Sequence, residues 1–150
     1  MDIEYFTKLE RLKHRDITIF MLTVLHELPT HLQWQFTLES LREELERIKD
    51  EKDKFAFIMD LRKIGRLSIS QIKEFVNLLE SYKHIFQDYL IASSLYTTNN
   101  SILAILFEIL KTFYNTKKPL KFVYSMESAY EFIDSFDKQI IRDIIRDEKN

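Results

Sequence analysis

The groups best able to do chemistry gather in one short stretch, Ser68-Ile69-Ser70-Gln71, a few residues beyond Asp60. Ser68 and Gln71 have the spacing of a capping box, in which the serine hydroxyl and the glutamine amide each satisfy a free backbone N–H. A helix therefore begins at Ser68, and Ser70 falls in its first turn, beside unbonded N–H groups and the positive end of the helix dipole. A phosphate on Ser70 would be accommodated there. It would also place about two negative charges on the surface and repel an acidic partner. Lys63, Arg66 and Lys73 lie close in sequence and strengthen the preference for an anion. The alternative is structural: Ser68 and Ser70 serve only to cap, and Arg62, Lys63 and Arg66 form a solvated loop.

Other chemistry-bearing residues are isolated. His14, His26, His31 and His84 are scattered, and no H-x-x-x-H or H-E-x-x-H pair exists, so no metal site is expected. Asp60 closes an apolar run, the place where α/β proteins put functional acids. It equally suits a carboxylate that bonds the backbone of the following loop. Trp34 with Phe36, beside Pro29, is either an exposed binding patch or a lid over the core. The chain has no cysteine and a single glycine, Gly65. Disulfides, thiolate zinc sites and cysteine nucleophiles are thereby excluded. So are glycine-rich phosphate cradles and the G-x-S-x-G elbow, which need several glycines close together. No nucleophile, base and orienting group converge, so the protein is expected not to be an enzyme and to need no cofactor.

The elements that must position these residues follow from hydrophobic patterning. Ile17–Val24, Phe55–Asp60, Leu90–Leu95 and Lys121–Tyr124 are apolar runs rich in β-branched and aromatic residues, the mark of buried strands. Ile3 to Leu9 reads as a weaker strand before them, and His26 to Phe36 as irregular. Thr37 is placed to cap a helix bearing Leu38, Leu41, Leu45 and Ile48. The helix from Ser68 carries Ile72, Phe75, Val76, Leu79 and Tyr82. A third is expected from Ile102 to Tyr114, capped by Asn99, Asn100 or Ser101, and a last one begins at Ser125. Strands separated by helical patterns predict an α/β fold with a mostly parallel sheet of four to five strands. With 150 residues, one domain is expected, with an N-terminal extension over residues 1–16. Scarce glycine leaves an all-helical interaction protein as an alternative.

Beyond Phe136 the apolar spacing continues through Ile140, Ile141, Ile144 and Ile145, flanked by charges. Residues 137–150 therefore read as a helical extension that covers the domain itself or pairs with a second copy.

Several of these segments resemble the STAS domain, the family of sulfate transporters and anti-sigma factor antagonists. Phe55 to Leu79 is similar to the family's central segment, in which a buried strand ends in Asp-Leu, here Asp60-Leu61. Ser68-Ile69-Ser70-Gln71 falls where the family has an Asp-Ser-Ser-Gly turn opening a helix. Leu120 to Ile133 resembles the last strand and closing helix, and Ser125, Glu127 and Ala129 take the places of a Ser-x-Glu-x-Ala pattern. The likeness spans about residues 15 to 136. The turn departs from the family: Ser68 and Gln71 replace its Asp and Gly, and Ile69 one of its serines. Ser70 stands where antagonists of anti-sigma factors accept a phosphate.

The resemblance implies a regulatory or scaffolding module. Its expected partner is a protein such as a regulatory kinase or an anti-sigma-like protein, bound by the face carrying Arg66, Ser68, Ser70 and Lys73. The alternative is a carrier for a nucleotide, lipid or other small molecule, using a crevice between sheet and helices. Lys+Arg 22 against Asp+Glu 24 gives a net charge of -2, with no global attraction to nucleic acid. The longest uncharged stretch, Tyr89 to Phe107, is broken by Ser93-Ser94 and Thr97 to Ser101, so membrane insertion is not expected. With no cysteine and no export signal, the cytoplasm is the expected compartment.

Overall fold

The computed structural model describes residues 4–98 and 117–136, together with Glu108, Leu110, Lys111, Arg142, Ile145, Arg146 and Glu148. A five-stranded sheet runs in chain order: β1 (Thr7–His14), β2 (Ile17–Val24), β3 (Phe55–Asp60), β4 (Leu90–Tyr96) and β5 (Leu120–Val123). β1 pairs antiparallel with β2, and the other three pairings are parallel. The helices are α1 (His31–Glu51), α2 (Ile69–Ser81), α3 (Lys83–Tyr89) and α4 (Met126–Asp134).

β2 and β3 are apolar apart from Thr18, Thr23 and Asp60, because both of their faces are covered. Side chains alternate across a strand, and the parallel register sets Phe20 beside Phe57 and Leu22 beside Met59. These join Trp34, Leu38, Leu41, Leu45 and Ile48 of α1 and Leu79 and Phe86 of α2 and α3 in one core. The opposite face, with Ile19, Met21, Ala56 and Ile58, packs on Ala129 and Ile133 of α4. Each large side chain so buried contributes about 1.5–3 kcal/mol before entropy is subtracted.

The α/β architecture with a mostly parallel sheet is as the sequence predicts; β4 and β5 lie within one residue of the expected Leu90–Leu95 and Lys121–Tyr124, and three other boundaries differ more. The first strand lies at Thr7–His14 rather than Ile3–Leu9. The segment before Thr37 is not irregular: α1 starts at His31, with Thr30 and Gln33 forming a reciprocal capping box. Thr37 is inside the helix, where its hydroxyl donates to the Gln33 carbonyl at 3.0 Å. The chain also breaks at Tyr82, separating α2 from α3. The helix expected over Ile102 to Tyr114 lies outside the described residues except for Glu108, Leu110 and Lys111, all helical. Ile140, Ile141 and Ile144 also lie outside them, and Ile145 is exposed.

Candidate functional site

The loop from β3 to α2 is pinned to the domain at each of its apolar residues. Leu61, Ile64 and Leu67 are buried, while Lys63 and Arg66 are exposed and Arg62 turns its guanidinium back onto Asp60. The Leu61 N–H donates to the Tyr96 carbonyl at 2.8 Å, and the Gly65 N–H to the Glu27 carbonyl at 2.7 Å. Gly65 is required by close approach rather than by backbone angle: a Cβ there would sit 2.4 Å from Glu27 Cγ.

Asp60 is the loop's anchor. It is 5% exposed, and its Oδ1 accepts from the Arg62 backbone N–H at 3.2 Å and from Arg62 Nε at 3.0 Å. Arg62 Nη2 donates to Oδ2 at 2.7 Å, and the guanidinium lies 4.5 Å from the Tyr96 ring centroid. Burial works to raise the Asp60 pKa, but the hydrogen bonds and charge of Arg62, with Lys63 nearby, outweigh it and hold the carboxyl below its ordinary value. Of the two roles the sequence allowed Asp60, the structure shows the backbone-bonding one.

α2 opens as the spacing predicts. The Ser68 hydroxyl accepts from the Gln71 N–H at 3.1 Å, and the Gln71 side chain accepts from the Ser68 N–H at 2.9 Å. Ser68 is thereby committed to the cap. Ser70 is exposed on the first turn, Lys73 is exposed on the next, and Arg66 is exposed just before the cap. The structure thus brings Arg66, Ser68, Ser70 and Lys73 to one end of the domain.

Exposed apolar side chains join them there, and the sequence reading missed these. Ile69 is 74% exposed, Leu32 on α1 is 68% exposed, and Leu28 precedes α1 on the loop that meets Gly65. α1 and α2 lie side by side, with Gln35 donating to Glu74 at 3.4 Å and a groove continuing past Glu39, Asn77, Arg42 and Ser81. The signal was present in the pattern, because Leu32 falls off the buried Trp34, Leu38, Leu41, Leu45, Ile48 stripe.

The remaining candidates are dispersed. Trp34 is a core lid, whereas Phe36 is half-exposed with its ring centroid 5.3 Å from that of Tyr5. His14 Nε2 lies 2.7 Å from Asp134 Oδ1, joining β1 to α4; His26 lies 3.7 Å from Glu4, and His31 and His84 are exposed. Among the described residues no group of three or more His, Cys, Asp or Glu side chains could hold a metal ion. None of their helices is long and apolar enough to cross a membrane.

No protein-family model matches the chain, and no curated protein matches it. Its structure is similar to that of an uncharacterised protein of the DUF3478 family from Shewanella loihica PV-4, described as having a SpoIIAA-like fold. The two share 12% sequence identity and superpose with a TM-score of 0.62, over 89% of this chain and 98% of that one. The fold is therefore SpoIIAA-like, the STAS type that the sequence resembles. At that identity the likeness extends to the fold alone.

Proposed function

We propose that the protein is a non-enzymatic interaction module of STAS type whose protein partner docks around the start of α2, under control of phosphorylation at Ser70. The observation that carries this reading is Ile69, an isoleucine 74% exposed between Ser68 and Ser70. Scattered exposed apolar residues are ordinary, but Ile69 shares this end of the domain with Leu28 and Leu32. A partner covering the three removes apolar surface from water, and Arg66 and Lys73 at its margin favour an acidic one.

A phosphate on Ser70 acts in two ways. Next to the N-terminus of α2 it is compatible with the helix dipole, so the domain stays folded. Facing an acidic partner it repels. A regulatory kinase or an anti-sigma-like protein fits that chemistry. The non-enzymatic reading rests on Asp60 being held by Arg62 and on histidines that do not meet.

The test compares Ser70→Asp and Ser70→Ala for binding to the partner recovered from the native cell. The aspartate variant should bind at least tenfold more weakly with an unchanged melting temperature, and the alanine variant should bind as wild type. Equal binding by both would refute control at Ser70.

A further inference from the structure

β1 closes one side of the sheet, and among the described residues no strand lies beyond it. Its backbone is therefore only half used. The Leu25 N–H donates to the Phe6 carbonyl at 2.8 Å, and the register runs on from Thr7 opposite Val24 to His14 opposite Ile17. Bonded and non-bonded pairs alternate along an antiparallel ladder, so Lys8, Glu10, Leu12 and His14 bond to β2. Thr7, Leu9, Arg11 and Lys13 turn their N–H and carbonyl groups outward, away from the sheet.

Charged side chains, lysine above all, commonly guard such an edge against pairing. Here the charges select a pairing instead. Two copies of β1 related by a two-fold axis pair antiparallel. Outward-facing residues must meet outward-facing ones, so the axis passes through a residue. An axis at Lys8, Glu10, Arg11 or Lys13 sets that charge against itself, and one at Leu12 sets Arg11 against Lys13. An axis at Thr7 or His14 pairs a single residue. Only an axis at Leu9 avoids like charges: Leu9 faces Leu9, Thr7 faces Arg11, and each Lys8 faces a Glu10. Lys8 and Glu10 of one strand already lie 3.0 Å apart, so the four side chains alternate in sign. Opposite charges directly across a strand pair stabilise it, and like charges destabilise it.

The flank of the strand suits a second copy as well. Thr7, Leu9 and Arg11 face α1, where Thr7 meets Thr37 and Arg11 meets Glu44. On that side β1 borders a groove lined by Tyr5, Leu9 and Phe36, with Glu43 and Glu44 on its α1 wall. Tyr5 and Phe36 are each about half exposed. A second copy brings its own Leu9 to the apolar part of this groove, and its Arg11 to the side that carries the carboxylates.

We propose that two copies of this chain pair through β1, antiparallel about a two-fold axis at Leu9, so that their sheets become continuous and Lys8 of each copy meets Glu10 of the other. This interface does not use the start of α2 and does not depend on partner docking there.

Sedimentation equilibrium of the full chain tests it, with Lys8→Glu and Glu10→Lys as variants of two exposed side chains. The wild type should be dimeric at about 0.1 mM. Either variant alone should associate about tenfold more weakly or less. An equimolar mixture of the two should recover dimers containing one copy of each, because every substituted side chain then faces its opposite charge. A monomeric wild type overturns the proposal, as do variants that associate like the wild type, or a mixture no tighter than its components. Leu9→Pro removes the outward N–H at the axis and leaves the bonds to β2 in place. It should be monomeric; a dimer in that variant overturns the proposal too, and if it does not fold the charge variants decide.

Discussion

Ser93 and Ser94 are adjacent on β4 and both completely buried, yet their hydroxyls differ in kind. Ser94 Oγ donates to the Ala129 carbonyl at 3.0 Å and ties the sheet to α4, whereas Ser93 Oγ has no partner. Successive side chains face opposite sides of a sheet, so each layer receives one of the two. Ser94→Ala should cost about 0.5–1.5 kcal/mol, the net value of one hydrogen bond. Ser93→Ala removes an unsatisfied group and should be neutral or stabilising. Urea denaturation of the two variants checks the contrast; a larger loss from Ser93→Ala would contradict it.

Gly65 should tolerate no side chain. Its N–H meets the Glu27 carbonyl at 2.7 Å, and an added Cβ would lie 2.4 Å from Glu27 Cγ and 3.0 Å from the Glu27 carbonyl oxygen. Gly65→Ala should destabilise by about 1–3 kcal/mol, as for other overpacked sites. The midpoint of denaturation should fall with an unchanged slope.

Lys52 ends α1 in the left-handed region, at φ 59°. A lysine there carries a steric cost that glycine lacks. Lys52→Gly should stabilise the protein by about 0.5–1 kcal/mol, measured as a raised denaturation midpoint. No gain would show that the lysine stem contributes packing of equal worth.

The Asp60–Arg62 clamp makes part of the stability depend on pH. The folded pKa of Asp60 lies below its unfolded value, so its contribution is present above the unfolded value. That contribution is lost as pH falls through the folded one. Asp60→Asn should cost about 1–3 kcal/mol near neutrality, by leaving buried bonds unmade. The gap between wild type and variant should narrow below about pH 4. A gap that stays constant in acid would contradict the assignment.

The parts legible in the sequence are those specified locally or by burial on both faces. ITIFMLTV and FAFIMD have no polar side to disguise them, and Ser68 with Gln71 forms its cap within four residues. β1 was displaced because it is an edge strand whose charged residues mask the alternation; Arg11, for example, reaches Glu51 on α1 at 2.7 Å. The start of α1 carries the same capping-box spacing as α2, in Thr30 and Gln33, but Pro29 and the aromatic Trp34 and Phe36 interrupt the pattern there and resemble a loop. The Arg62–Asp60 clamp, the Gly65–Glu27 contact and the unbonded Trp34 indole depend on how side chains and loops meet in three dimensions, which periodicity does not encode.

The most direct test of partner docking is site-specific photocrosslinking in the native cell, with the photoreactive residue at position 69 in one sample and at Arg47 on the exposed face of α1 in another. The account predicts one dominant protein adduct from position 69, lost when Ser70→Asp is added, and none of that mass from position 47. The same adduct from position 47 with nothing from position 69 would contradict it.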